Sequence, residues 1–434
     1  MTNRGTRSSQ RKPAPALLPA LGPRPWRTLL AVLTGSLLLA LSAVWPAAAF
    51  DRLGAEETIA DLLPARFPDS PPNGMRGRRW ALLPQLGYGP DTSVLAGAKF
   101  VDRNLFDSGT TIDLDGTYAL NEQQSLEFSV GSPHLLDNRL LMLLRARYDF
   151  DPQREFFGLG DVNVDGPVST HEFQDLGGEL SIGWRPFRRI SLNFEVGIRQ
   201  IDIRNGKRKD DLPFTPVAFP DLPGIDGGVV NPIALSLVWN TRDDIVRPTR
   251  GWRLLVKALH TDKSLFSDFE FSRFFIDAGY LRAFNQGHQI VGLRVNGEWI
   301  EAPIHEVPFW ELAELGGSDT LRGFFPHRFA GKGRVLLNLE FRFRLVEFDF
   351  SDLWHVKLDG VVFGDTGRVY LDSNEVRDEF HLNQDLLDRI IGDFQYSYGP
   401  GLRIALSDAL VARIDAGFSK EETGLVYLSF GQTF

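Results

Sequence analysis

The sequence contains no cysteine, which excludes disulfides, thiolate metal sites and cysteine nucleophiles at once. Beyond Trp45 it also lacks any run near the ~18 consecutive apolar residues that a membrane-spanning helix needs. The eight histidines are scattered and form no HExxH or similar metal pair, and no GxSxG nucleophile elbow occurs. An excess of positive charge is missing too: the formal net charge is −9, and it becomes −15 once six basic residues near the N-terminus are set aside. That balance disfavours binding to nucleic acid phosphates. Aromatic residues are plentiful by contrast, with 33 Phe and 9 Trp, so a chain of this kind that spans a membrane does so with strands.

The six basic side chains are Arg4, Arg7, Arg11, Lys12, Arg24 and Arg27. No acid accompanies them, and the apolar run Leu29 to Trp45 and then Ala47-Ala48-Ala49 follow. This order reads as a signal peptide over residues 1–49, cleaved near Phe50, and makes the working compartment extracytoplasmic. A retained membrane anchor would use the same apolar run, but the alanine exit and the lack of a stop-transfer charge cluster favour cleavage. Residues 50–79 hold a short helix candidate, Glu56 to Phe67, and a Pro- and Gly-rich stretch, Pro68 to Gly77. They read as a linker, too short for a folded domain.

From Trp80 to Phe434 the texture changes to segments of about ten residues with period-two alternation, divided by Gly, Asp, Asn and Pro clusters. Leu337, Leu339, Phe341, Phe343 and Leu345 alternate with Asn338, Glu340, Arg342 and Arg344. Leu192, Phe194, Val196 and Ile198 form a second such row, and Val426, Leu428, Phe430 and Phe434 a third. Alternation alone also suits a soluble β-sandwich, with its apolar face against a second sheet. A preceding signal peptide, strands without helical interludes and a chain that ends on a strand at Phe434 favour a membrane barrel instead.

The periodicity predicts an all-β fold, a transmembrane antiparallel β-barrel over residues 80–434. Its strands fall near 81–89, 93–106, 110–119, 124–132, 139–150, 172–185, 190–204, 232–240, 251–262 and 268–283, and then near 288–300, 334–347, 354–368, 394–406, 409–419 and 424–434. That makes sixteen. An even number places both ends, and so the 50–79 segment, on the periplasmic side of an outer membrane. The long connections are 151–171, 205–231, 301–333 and 369–393.

One of these long connections contains Leu315-Gly316-Gly317-Ser318-Asp319-Thr320-Leu321-Arg322-Gly323-Phe324. It resembles the Val/Ile-Arg-Gly-Phe/Tyr loop motif of the BamA/TamA family of outer-membrane assembly and translocation barrels (bacterial surface antigen type). Further pieces agree in order: Leu86-Gly87-Tyr88-Gly89, Asn104-Leu105-Phe106, Phe156-Phe157-Gly158-Leu159-Gly160, Asn240-Thr241-Arg242-Asp243 with Pro248-Thr249-Arg250-Gly251, Leu339-Glu340-Phe341-Arg342, Val362-Phe363-Gly364-Asp365-Thr366-Gly367 and Phe430-Gly431-Gln432-Thr433-Phe434. Asn240 stands where the family pattern usually has Asp, and Leu321 where Val or Ile is commoner. Family members that assemble other proteins carry periplasmic POTRA domains, and residues 50–79 are too few to form one.

The resemblance implies that the motif arginine, Arg322, enters the lumen and meets an acid on the facing wall, and the matching acids are Glu340 and Asp365. Strand parity makes both lumen-facing, and a guanidinium can bind carboxylate through two parallel hydrogen bonds. Gly323 would let the loop turn tightly, Phe324 would pack inside, and a wet lumen would soften the loss of the pair. Phe430, Gln432 and Phe434 resemble the C-terminal signal read by the barrel-assembly machinery during biogenesis.

A separate pattern, Asp161, Asn163, Asp165, Gly166 and Glu172, has the spacing of a calcium loop. No helices flank it, and Asp, Asn and Gly equally suit a tight solvated loop. The function implied by the resemblance is non-enzymatic: insertion or translocation of a polypeptide client or another macromolecule, in outer-membrane lipid. A passive channel or surface-structural barrel is the alternative. An outer-membrane phospholipase is a remote one, since Ser and His occur without a recognisable positioned pair.

Overall fold

The computed structural model describes residues 80–434 except 107, 137–138, 161–167, 210, 245–246, 352–353, 372–393, 407–409 and 431–434. Sixteen long strands dominate it. They are β1 (Trp80–Gly89), β2 (Ser93–Leu105), β3 (Thr110–Ala119), β4 (Gln124–Leu135), β5 (Leu140–Phe156), β6 (Ser169–Phe187), β7 (Ile190–Arg204) and β8 (Ile233–Asn240). The second half holds β9 (Gly251–Thr261), β10 (Phe271–Phe284), β11 (Gln289–Glu301), β12 (Gly333–Ser351), β13 (Trp354–Tyr370), β14 (Gln395–Leu406), β15 (Leu410–Gly417) and β16 (Leu425–Phe430). Each pairs antiparallel with its sequence neighbour, and β1 also pairs with β16, so the sheet closes into a barrel. Away from that closing contact, the ladders satisfy the backbone polar groups that lipid cannot.

Period-two alternation decides which side chains face which solvent. Leu339 is 49% exposed on the outer wall, while Glu340 beside it is 0% exposed. The same inversion runs round the barrel, with Leu144, Ile198, Leu235 and Val362 outside and Arg145, Asp175, Glu195 and Asp277 buried inside. The lumen-facing charges pair across strands, as Lys257 does with Glu195 at 2.5 Å and Arg294 with Asp277 at 2.8 Å.

One rim carries short turns, such as 188–189 between β6 and β7; the other carries the long loops. β5 and β6 run further than the alternation predicts, pairing as far as Phe156 with Ser169. Asp151-Pro152 resembles a strand end in sequence, yet the ladder absorbs the proline at a register shift between Asp151 and Arg154. The loops form a second, apolar core over the long-loop mouth. Phe156, Phe173, Ile201 and Phe271 from the strand ends pack with Leu222, Val307, Phe309 and Trp310 from the loops. The Phe156 and Phe309 rings meet edge to face at 5.2 Å, and Trp310 Nε1 donates to the Gly224 carbonyl at 3.0 Å.

Candidate functional site in the barrel lumen

The connection between β11 and β12 folds back on itself as a short ribbon, Ala313–Leu315 paired with Phe329–Gly331. Gly316 and Gly317 open its inward tip with φ of 120° and 94°, a backbone that favours glycine. The Gly316 N–H donates to Thr320 Oγ1, and the Thr320 hydroxyl donates to the Gly316 carbonyl, both at 2.8 Å. Leu321, Phe324 and Phe329 then pack against Leu315, Leu336 and Val369 in a dry cluster. Leu321 is completely buried, so a γ-branched side chain fills the place usually taken by Val or Ile.

This packing delivers Arg322 to the wall of β12–β15, where it is 0% exposed. Its Nε and Nη2 donate to the two oxygens of Asp365 at 2.9 and 2.6 Å, a forked contact. Its Nη1 donates to Glu340 Oε1 at 2.5 Å and lies 3.7 Å from Asp415. The guanidinium sits over the Phe363 ring, 3.6 Å from its centroid. The expectation of a wet contact is corrected here: Arg322, Glu340 and Asp415 side chains are all fully buried, because loop and wall close over them.

The acids are shared with further bases. Arg403 donates to Glu340 at 3.0 Å and to Asp415 at 2.7 Å, and Arg342 donates to Glu340 at 2.8 Å. Asn338 Nδ2 bridges Asp365 and the Thr320 carbonyl, each at 2.8 Å. Arg413 donates to Asp319 on the loop at 2.7 Å. Four guanidinium groups thus meet the buried carboxylates of Glu340, Asp365 and Asp415 and the part-exposed one of Asp319, a balance that makes burial of the first three tolerable.

Gly323 sits in a tight turn, in which the Phe324 N–H donates to the Leu321 carbonyl at 3.0 Å. It does not adopt the left-handed backbone; it is required by a close approach, since a Cβ there would lie 2.5 Å from the Phe418 carbonyl oxygen. Asn240 accepts from the Arg242 backbone N–H at 3.0 Å, so the amide caps its turn in place of the usual Asp.

Sequence reasoning gave no site role to Arg403, Arg413, Asp415, Asn338 or Phe363, nor to Ser397, whose hydroxyl donates to Asp365 at 3.3 Å. Register held the missing signal: Arg403 lies opposite Arg413, and Gly401 opposite Asp415, in the last long hairpin. Asp161, Asn163 and Asp165 of the calcium pattern lie outside the described residues, and Glu172 stands in β6 opposite Arg204. Of the C-terminal signal, Phe430 ends β16, and Gln432 and Phe434 lie outside the described residues.

Residues 104–434 match the Omp85 superfamily domain. The fold resembles that of BamA from Haemophilus ducreyi lacking POTRA domains 1–3, at 14% identity and a TM-score of 0.59, covering 81% of this chain and 70% of that one. CdiB from Escherichia coli is similar at 12% identity and a TM-score of 0.59, covering 81% of this chain and 62% of that one. No curated protein matches the sequence. The chain is a bacterial outer-membrane β-barrel and belongs to the Omp85 superfamily.

Proposed function

We propose that this barrel is non-enzymatic and inserts or translocates polypeptide at the outer membrane, working at the seam between β1 and β16. The observation that carries this reading is the ladder at closure. Among the described residues β1 and β16 share one registered pair, Tyr88 with Leu428, whereas β1 and β2 share ten. A weakly paired edge can template an incoming strand through its free backbone groups. BamA and CdiB have the same kind of barrel, which supports the reading by analogy. On this reading residues 1–49 are removed on export, residues 50–79 form a periplasmic segment, and Arg322 with Glu340 and Asp365 locks the loop inward.

A cysteine pair at Tyr88 and Leu428 tests it, since antiparallel partners lie within disulfide reach. Bacteria carrying only the Tyr88→Cys/Leu428→Cys protein should, when it is oxidised, lose the same outer-membrane proteins that deletion of the gene removes. Reduction should restore them. An unchanged outer-membrane protein profile with the seam locked would reject the reading and favour a passive channel.

A further inference from the structure

The loop tip touches the last hairpin as closely as it touches the middle of the wall. A Cβ on Gly417, at the end of β15, would lie 1.9 Å from the Arg322 carbonyl oxygen, so the two backbones are in direct contact. β16 directs Leu425, Tyr427 and Ser429 inward, and two of the three are tied to the loop or to its partner. The Tyr427 hydroxyl donates to the Phe324 carbonyl at 2.9 Å. Arg413 Nε donates to Ser429 Oγ at 2.9 Å while its Nη2 holds Asp319 of the loop at 2.7 Å. On the other side of the seam, β1 turns only Gln85, Gly87 and Gly89 inward over its last five residues and shares one registered pair with β16. β16 is thus laddered to β15 over six registered pairs and tied to the loop directly through Tyr427 and indirectly through Arg413, while β1 adds one registered pair.

We propose that Tyr427 and Arg413 are positioning residues that couple the loop to the seam, so that seating of the Leu321–Phe324 motif keeps β16 in place and its release frees that strand. The inference rests on the seam reading above and deepens it. Both contacts lie beside the lock formed by Arg322, Glu340 and Asp365, so they can be altered without removing a charge from it.

Amide hydrogen exchange on the purified full chain in lipid separates the possibilities. Tyr427→Phe deletes one hydroxyl and keeps the ring. It should speed exchange of the 425–430 amides about two- to tenfold, the range expected for one net hydrogen bond, and leave β12 and β13 unchanged. Ser429→Ala should do the same more weakly through Arg413. Coupling is reciprocal. A Tyr88–Leu428 cysteine crosslink should therefore slow exchange of the Arg322 and Phe324 amides in the parent protein and fail to do so in Tyr427→Phe. Unaltered β16 exchange in both variants, or loop protection that survives Tyr427→Phe, would overturn the coupling. These readouts need no client, so a failed insertion assay beside intact coupling would count against the proposed function alone.

Discussion

At the scale of single residues, burial sets the cost of losing Arg322. Arg322→Ala would leave Glu340 and Asp365 in a dry site short of one guanidinium, and breaking a buried pair from one side costs about 3–5 kcal/mol. The variant should fold and insert less efficiently, seen as less heat-modifiable barrel in outer-membrane fractions. Arg322→Lys should recover only part of the yield, because an ammonium keeps the charge but cannot make the forked contact with Asp365. Equal yields for all three proteins would show that the remaining bases, Arg342 and Arg403, neutralise the acids without the loop.

The elements show how far the sequence could be read and where it stopped. Strand positions were legible because each face meets a different solvent, and sixteen alternating segments leave little freedom in register. Inward parity also made Glu340 and Asp365 readable. Arg403, Arg413 and Asp415 were not, because their partners lie on other strands and on the loop, and alternation says that a charge faces inward without saying what it meets. The apolar cap was hidden for a related reason: Val307, Phe309 and Trp310 sit in or beside single-turn 3-10 helices, too short to show a period.

The ribbon that anchors the loop supplies a pH test at this scale. Glu314 is bonded to His327 and lies 3.5 Å from Arg154 on β5. Burial alone would raise its carboxyl, but the charges of His327 and Arg154 prevail and lower it from 4.5 to about 2. A carboxylate depressed on folding contributes stability that is fully present above pH 4.5 and is lost as the pH falls towards about 2. Proteolysis within residues 302–332 should therefore be slow at pH 5 and faster at pH 3, with Glu314→Gln already fast at pH 5. The same rate for both proteins across that range would show that the ribbon is held by its apolar contacts alone.

For the whole molecule, the two cores together decide what can pass. The apolar cap packs at the long-loop mouth, and the motif loop lies inside the barrel against β12–β16, so both fill space that an open channel would need. An ion crossing the barrel would leave water beside the apolar side chains of the cap and displace the paired charges of the loop, and both steps are costly. In planar bilayers the purified protein should therefore show a small, flickering conductance instead of a steady pore. Replacing residues 313–331 by a short glycine linker removes the ribbon and the motif loop while leaving β11 and β12 intact. That variant should conduct steadily and at a higher level. A steady current through the unaltered protein would mean that the obstruction yields in a bilayer, and it would turn the assignment towards a passive channel.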